Sequence, residues 1–156
     1  MEAHRVNLRC ARVLLIEDNY GDVLLTKLAF KRADFDSEIT VAETAEKGLK
    51  ILRQEGEYSE VANPDIILLD LNLSGMNGWE FLNIVKSDNQ FRHLPIIVLS
   101  SSRAESDIRK CFAQFANGYF TKPMANDRYA EFVKQIESYW ISLMELPAYV
   151  MPAQLF

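Results

Sequence analysis

Five short strand-like runs alternate with helix-like stretches along this chain, and that alternation restricts the possible folds more than any other property of the sequence. The runs are Arg12 to Ile16 (RVLLI), Glu38 to Ala42 (EITVA), Ile66 to Leu69 (IILL), Ile96 to Leu99 (IIVL) and Gly118 to Thr121 (GYFT). The third and fourth are apolar throughout, as expected of strands covered on both faces. Between them, apolar residues recur at helical spacing. Leu24, Leu25, Leu28 and Ala29 mark a first helix, Ala45, Leu49 and Leu52 a second, and Leu82 and Val85, after Gly78, a third. Ile108, Cys111, Phe112 and Phe115 mark a fourth. A fifth opens near the capping residue Asn126 and runs through Tyr129, Phe132, Val133, Ile136, Trp140 and Leu143.

Strands alternating with helices give an α/β fold with a parallel sheet between two helical layers. Right-handed crossovers leave few topologies open, and five βα units are expected to form a doubly wound, flavodoxin-like sheet in strand order 2-1-3-4-5. The ligand crevice of such a sheet lies beyond the carboxyl ends of strands 1 and 3, where the order reverses. That explains the acid closing the third run: Asp70 is expected at the mouth of the sheet, outside the core. The first run ends at the same crevice on Glu17 and Asp18.

Composition closes off other classes. The 156 residues are 49% hydrophobic and 25% charged, which suits one ordinary globular domain. The apolar runs are too short to cross a bilayer, and the opening MEAHRVNLRC has no apolar signal-peptide centre. A cytoplasmic protein without membrane contact is expected, with Cys10 and Cys111 reduced. A net charge of -5 argues against nucleic-acid binding, and His4 and His93 sit in no zinc-ligand spacing. The polar stretch 53–64 and the apolar tail 146–156, with Pro147 and Pro152, fall outside the βα scheme.

Three carboxylates at one sheet edge repel one another, so without a cation one or more should take up a proton. An all-oxygen site of this kind suits Mg²⁺. Strand 4 ends in hydroxyls, Ser100 to Ser102, and strand 5 in Lys122 and Pro123. Acids, a hard cation, a hydroxyl and an ammonium form a site that can take up a phosphoryl group, with Asp70 best placed to attack phosphorus.

The phrases LLIEDN, IILLDLNLSGMNG, PIIVLSSS and GYFTKP, in that order at the ends of strands 1, 3, 4 and 5, resemble the receiver domain of two-component response regulators over about residues 11 to 145. Residues 1–10 then form an N-terminal extension and 146–156 a C-terminal tail. The resemblance implies that Asp70 is the phosphoacceptor and that Glu17 and Asp18 hold Mg²⁺ together with Asp70 and the main-chain carbonyl of Asn72. It further implies that Lys122 binds the phosphate, that Ser100 and Tyr119 are the switch pair, and that the Lys122-Pro123 bond is cis. The long loop before strand 3, ILLDLNL and IESYWISLMELP are similar to stand-alone regulators serving cyanobacterial phytochromes. A histidine kinase of phytochrome type is the implied donor, with an unidentified protein downstream. Ser74, where many receivers carry Pro, is expected to loosen the loop after Asp70 without removing a ligand.

Plainer readings stand beside these. Asp70 can be a turn residue, Glu17 or Asp18 a helix cap, and Tyr119 half-buried packing. An aspartyl-phosphate-forming phosphatase or phosphotransferase is the alternative function, but its second acid would fall on Asn72. A receiver phosphorylates and dephosphorylates itself and is not a turnover enzyme. The apolar excess at Trp140, Leu143 and the tail points to a homodimer through the helix 4, strand 5 and helix 5 face.

Overall fold

The computed structural model describes residues 10–122 and 126–138. Strands β1 (Ala11–Ile16), β2 (Ser37–Ala42), β3 (Ile66–Asp70), β4 (Ile96–Ser100) and β5 (Gly118–Thr121) alternate with helices α1 (Tyr20–Arg32), α2 (Ala45–Leu52), α3 (Gly78–Ser87), α4 (Glu105–Ala113) and α5 (Asn126–Ile136). All neighbouring strands pair in parallel, in the order β2-β1-β3-β4-β5. This is the expected doubly wound sheet.

Side-chain alternation along the central strands divides the core into two layers. Leu14, Ile16, Ile67, Leu69, Ile96 and Val98 face the cluster completed by Leu49, Leu52, Phe81, Leu82 and Val85 of α2 and α3. Val13, Leu15, Ile66, Leu68, Ile97 and Leu99 face Phe30 of α1 and Phe132, Val133 and Ile136 of α5. Each of these side chains is worth about 1.5–3 kcal/mol when fully buried. The central strands are buried end to end, so both layers are needed to cover them.

Three expectations about faces and edges are corrected. On α1 the core side is Val23, Thr26, Ala29 and Phe30, while Leu24, Leu25 and Leu28 are exposed. The helix is apolar on two sides, and its inner face includes a polar residue that periodicity discounts. Thr26 is buried because its hydroxyl donates to the Asp22 carbonyl at 2.8 Å and shares a hydrogen with the Tyr129 hydroxyl of α5. On α4 only Cys111 is fully buried. Phe112 and Phe115 are 50% and 72% exposed, and Phe115 lies beyond the helix at φ 68°. Asp70 is the last ladder residue of β3, paired with Leu99 and only 6% exposed, so it is not outside the core.

The 53–64 stretch contains a short 3-10 helix, Gly56–Tyr58, and Tyr58 and Val61 pack on the α2–α3 layer. Both cysteines are free thiols. Among the described residues no helix is long and apolar enough to cross a membrane. Residues 1–9, Pro123, Trp140, Leu143 and the tail 146–156 lie outside the described residues, and so do the expectations that fall on them.

Candidate functional site

Adjacent strands in register deliver the acids. Ile16 pairs with Leu69, so the next residues, Glu17 just beyond β1 and Asp70 at the end of β3, stand side by side. Asp18 follows Glu17, and Asn19 rather than either acid caps α1, accepting from the Asp22 amide at 3.0 Å. One carboxylate oxygen from each of Glu17, Asp18 and Asp70 lies within 4.8 Å of the other two. Glu17 and Asp70 are buried and Asp18 is exposed, so the cluster opens to solvent on one side.

Lys122 reaches this cluster from the end of β5. Its amide donates to the Ser100 carbonyl at 2.7 Å, fixing the chain where it leaves the sheet. Its Nζ donates to Glu17 Oε2 and to Asp22 Oδ2 at 3.1 Å, and lies 3.7 Å from Asp70 Oδ2. Burial, with the neighbouring Asp70 charge adding to it, pushes the Glu17 carboxyl up to about 7 against the partial relief supplied by Lys122. Burial alone would lower Lys122, but the Glu17, Asp70 and Asp22 carboxylates outweigh it and the ammonium is held above its usual value.

The cluster therefore has more carboxylates than its one ammonium neutralises. An all-oxygen donor set with an open side suits a hard divalent cation that retains water. These residues can hold a metal.

The segment after β3 is pinned at several points. The Asn72 amide donates to Asp70 Oδ1 at 3.1 Å, and the Gly78 amide to the Leu71 carbonyl at 3.1 Å. Ser74 does not leave the loop free as expected, because its hydroxyl donates to Asp18 Oδ2 at 3.2 Å. A Cβ on Gly78 would stand 2.5 Å from the Asp70 carbonyl oxygen and 2.6 Å from Leu71 Cα, and neither backbone atom can yield cheaply. Gly78→Ala, which in an ordinary helix gains about 1 kcal/mol, is therefore expected to lose about 1–3 kcal/mol by overpacking. Urea denaturation measures the sign.

Ser100 is 1% exposed at the end of β4, and its Oγ accepts from the Ser102 amide at 3.2 Å. The Tyr119 hydroxyl donates to the Ser102 carbonyl at 2.7 Å. Ser102 Oγ in turn donates to Asp107 Oδ2 at 2.6 Å and accepts from the Ala104 amide at 3.2 Å. Ser100 of β4 and Tyr119 of β5 are thus linked through Ser102.

Sequence reasoning missed Asp22, which lies one helical turn beyond Asp18 and so returns to the same end of the sheet. It also missed the contacts of Ser74 with Asp18 and of Ser102 with Asp107 and the Ala104 amide, for which loop conformation, not spacing, is the cause. A cavity of about 400 Å³ lies over the site, lined by Asp18, Asp22, Asp70, Asn72, Ser101 and Lys122, and bordered by Leu25, Leu28 and Tyr129 of α1 and α5.

Residues 13–134 match the response regulator receiver domain, and the chain belongs to that family of two-component signalling proteins. It is 32% identical over 136 residues to the response regulator Rcp1 of Synechocystis sp., covering 87% of this chain and 92% of the relative. Among solved structures, the phosphorylated cyanobacterial phytochrome response regulator RcpA superposes with a TM-score of 0.80 at 36% identity, covering 88% of this chain and 99% of that one. The Mn²⁺-bound form of Rcp1 gives 0.78 at 32% identity over the same shares.

Proposed function

We propose that this chain is a phosphorelay receiver that accepts a phosphoryl group on Asp70 from a sensor histidine kinase of phytochrome type. An Asp70 carboxylate oxygen attacks phosphorus, and the phosphorus–nitrogen bond of the donor phosphohistidine breaks. The electron pair leaves with the imidazole nitrogen, which picks up a proton. Glu17, Asp18, Asp70 and the main-chain carbonyl of Asn72 would hold Mg²⁺, which would supply positive charge to the phosphoryl oxygens. Lys122 then turns from Glu17 and Asp22 toward the new phosphate, and the Ser100 hydroxyl donates to it.

The observation that carries this reading is the meeting of three carboxylate oxygens within 4.8 Å with an ammonium 3.7 Å from the inner acid. The sequence similarity to phytochrome response regulators supports the choice of donor. When Ser100 engages the phosphate it releases the Ser102 amide, and Tyr119, bonded to the Ser102 carbonyl, is drawn along. That carries the change to the α4 and β5 surface, where an unidentified downstream protein reads it. The protein acts in the cytoplasm and turns over no free substrate.

The test is incubation with phosphoramidate and Mg²⁺, read by intact mass. One phosphoryl group per chain, removed by hydroxylamine as an acyl phosphate should be, is the expected result; steady hydrolysis of p-nitrophenyl phosphate would favour a phosphatase instead. Self-association through the α4, β5 and α5 face and the tail belongs to the same proposal. Exposed Phe112 and Phe115 support it. Sedimentation at tens of micromolar is expected to give a dimer, and a monomer there ends that part.

A further inference from the structure

The Asn72 carbonyl, one of the proposed metal ligands, belongs to a loop with no regular secondary structure. A main-chain ligand is only as well placed as its loop is rigid. This loop is fastened at its far end by a residue that no motif singles out. Glu46, in the first turn of α2, accepts the Met76 amide on Oε1 at 2.8 Å. That bond holds the Glu46 carboxyl below its usual range although the side chain is exposed.

The contact is built from both sides. Thr44 caps α2, accepting the Lys47 amide at 3.1 Å, and Ala45, Leu49, Ile51 and Leu52 lock the helix into the core. On the loop side Gly75 has φ +73°, and a Cβ there would lie 3.1 Å from Glu46 Oε1. Glycine supplies both the left-handed backbone and the room for the carboxylate. Two other fastenings, Asn72 to Asp70 and Ser74 to Asp18, use oxygens of proposed ligands. The Glu46 bond uses none and so survives metal binding unchanged.

We propose that Glu46 is a positioning residue for the metal: by holding the Met76 amide it sets the shape of residues 72–76 and thereby aims the Asn72 carbonyl at the acids of β1 and β3. This rests on the metal reading above. Residues that orient a ligand without touching the ion typically change its affinity by tenfold or more when removed. The role needs an acceptor at Oε1, not a charge.

Calorimetric titration of the full chain with Mg²⁺ alone tests it on wild type, Glu46→Ala and Glu46→Gln, with Met76 amide exchange followed by NMR in the metal-free proteins. Glu46 is exposed, so neither variant is expected to unfold. Glu46→Ala should weaken Mg²⁺ binding by roughly tenfold and speed Met76 exchange. Glu46→Gln, which keeps the acceptor, should stay within about twofold of wild type on both. Equal weakening in the two variants would mean that charge is what matters, and unchanged affinity in Glu46→Ala would mean that the bond does nothing; either overturns the proposal. Should the wild type bind no Mg²⁺, the metal reading fails and takes this inference with it, whereas binding by the wild type with no effect of Glu46→Ala sinks this inference alone.

Discussion

Asp70→Asn will gain no phosphoryl group under conditions in which the wild type gains one, and it will remain folded while failing to do so. The substitution changes almost no volume in a site where Asp70 is 6% exposed, and the carboxamide oxygen can still accept the Asn72 amide that Oδ1 accepts at 3.1 Å. On the proposed mechanism what disappears is the carboxylate oxygen that attacks phosphorus, and a neutral amide has no comparable nucleophilicity. Lys122 keeps Glu17 and Asp22 as partners, so no buried charge is orphaned. Removing one of three mutually repelling carboxylates should even raise the melting temperature of the metal-free protein. Intact mass after phosphoramidate treatment, together with a thermal melt, reads both effects. A phosphoryl group retained on the Asn variant moves the acceptor elsewhere and removes the main support of the mechanism.

The second large effect is on stability and appears only as pH changes. Burial pushes the Glu17 carboxyl up to about 7 in the fold, from an ordinary value of 4.5. Below about pH 4.5 the group is protonated in folded and unfolded chains alike and contributes nothing. Between the two values the folded state binds more protons than the unfolded one, so stability falls as pH rises, and above about 7 the loss is complete. At 1.36 kcal/mol per pKa unit the loss is on the order of 3 kcal/mol. Glu17→Gln, neutral throughout, should remove that downward slope and be the more stable protein at pH 8 without metal. Urea melts at pH 5 and pH 8 decide it, and parallel slopes for the two proteins would show that Glu17 is not the group responsible. Saturating Mg²⁺ should flatten the wild-type slope and leave the variant unchanged.

The sheet was legible in the sequence because its signal is local. IILL and IIVL admit burial on two faces and little else, and crossover handedness then orders the strands. The convergence of Glu17, Asp18, Asp70 and Lys122 followed from that order, since each closes a strand at the same edge. Helix faces were less legible. The α1 helix carries leucines outward and Thr26 inward, an arrangement helped by the Asp22 carbonyl and by the Tyr129 hydroxyl on α5, more than a hundred positions away. Asp22 and Glu46 were not legible as site residues, nor were the contacts that Ser74 and Ser102 make. Their partners are fixed by loop conformation, including a left-handed Gly75, which spacing along the chain does not encode.

That the acid at position 70 is the last rung of β3, hydrogen-bonded into a ladder with β1 and β4 alongside, limits how any message can leave this protein. The peptide bearing it is paired with Leu99 of β4 in the sheet, which opposes its swinging when its charge changes. On the proposed mechanism the motion is taken up sideways, by the turn at Ser101 and Ser102 that follows β4. On the proposed mechanism the message therefore leaves through the flank beside β4, while the backbone at position 70 keeps its place in the sheet.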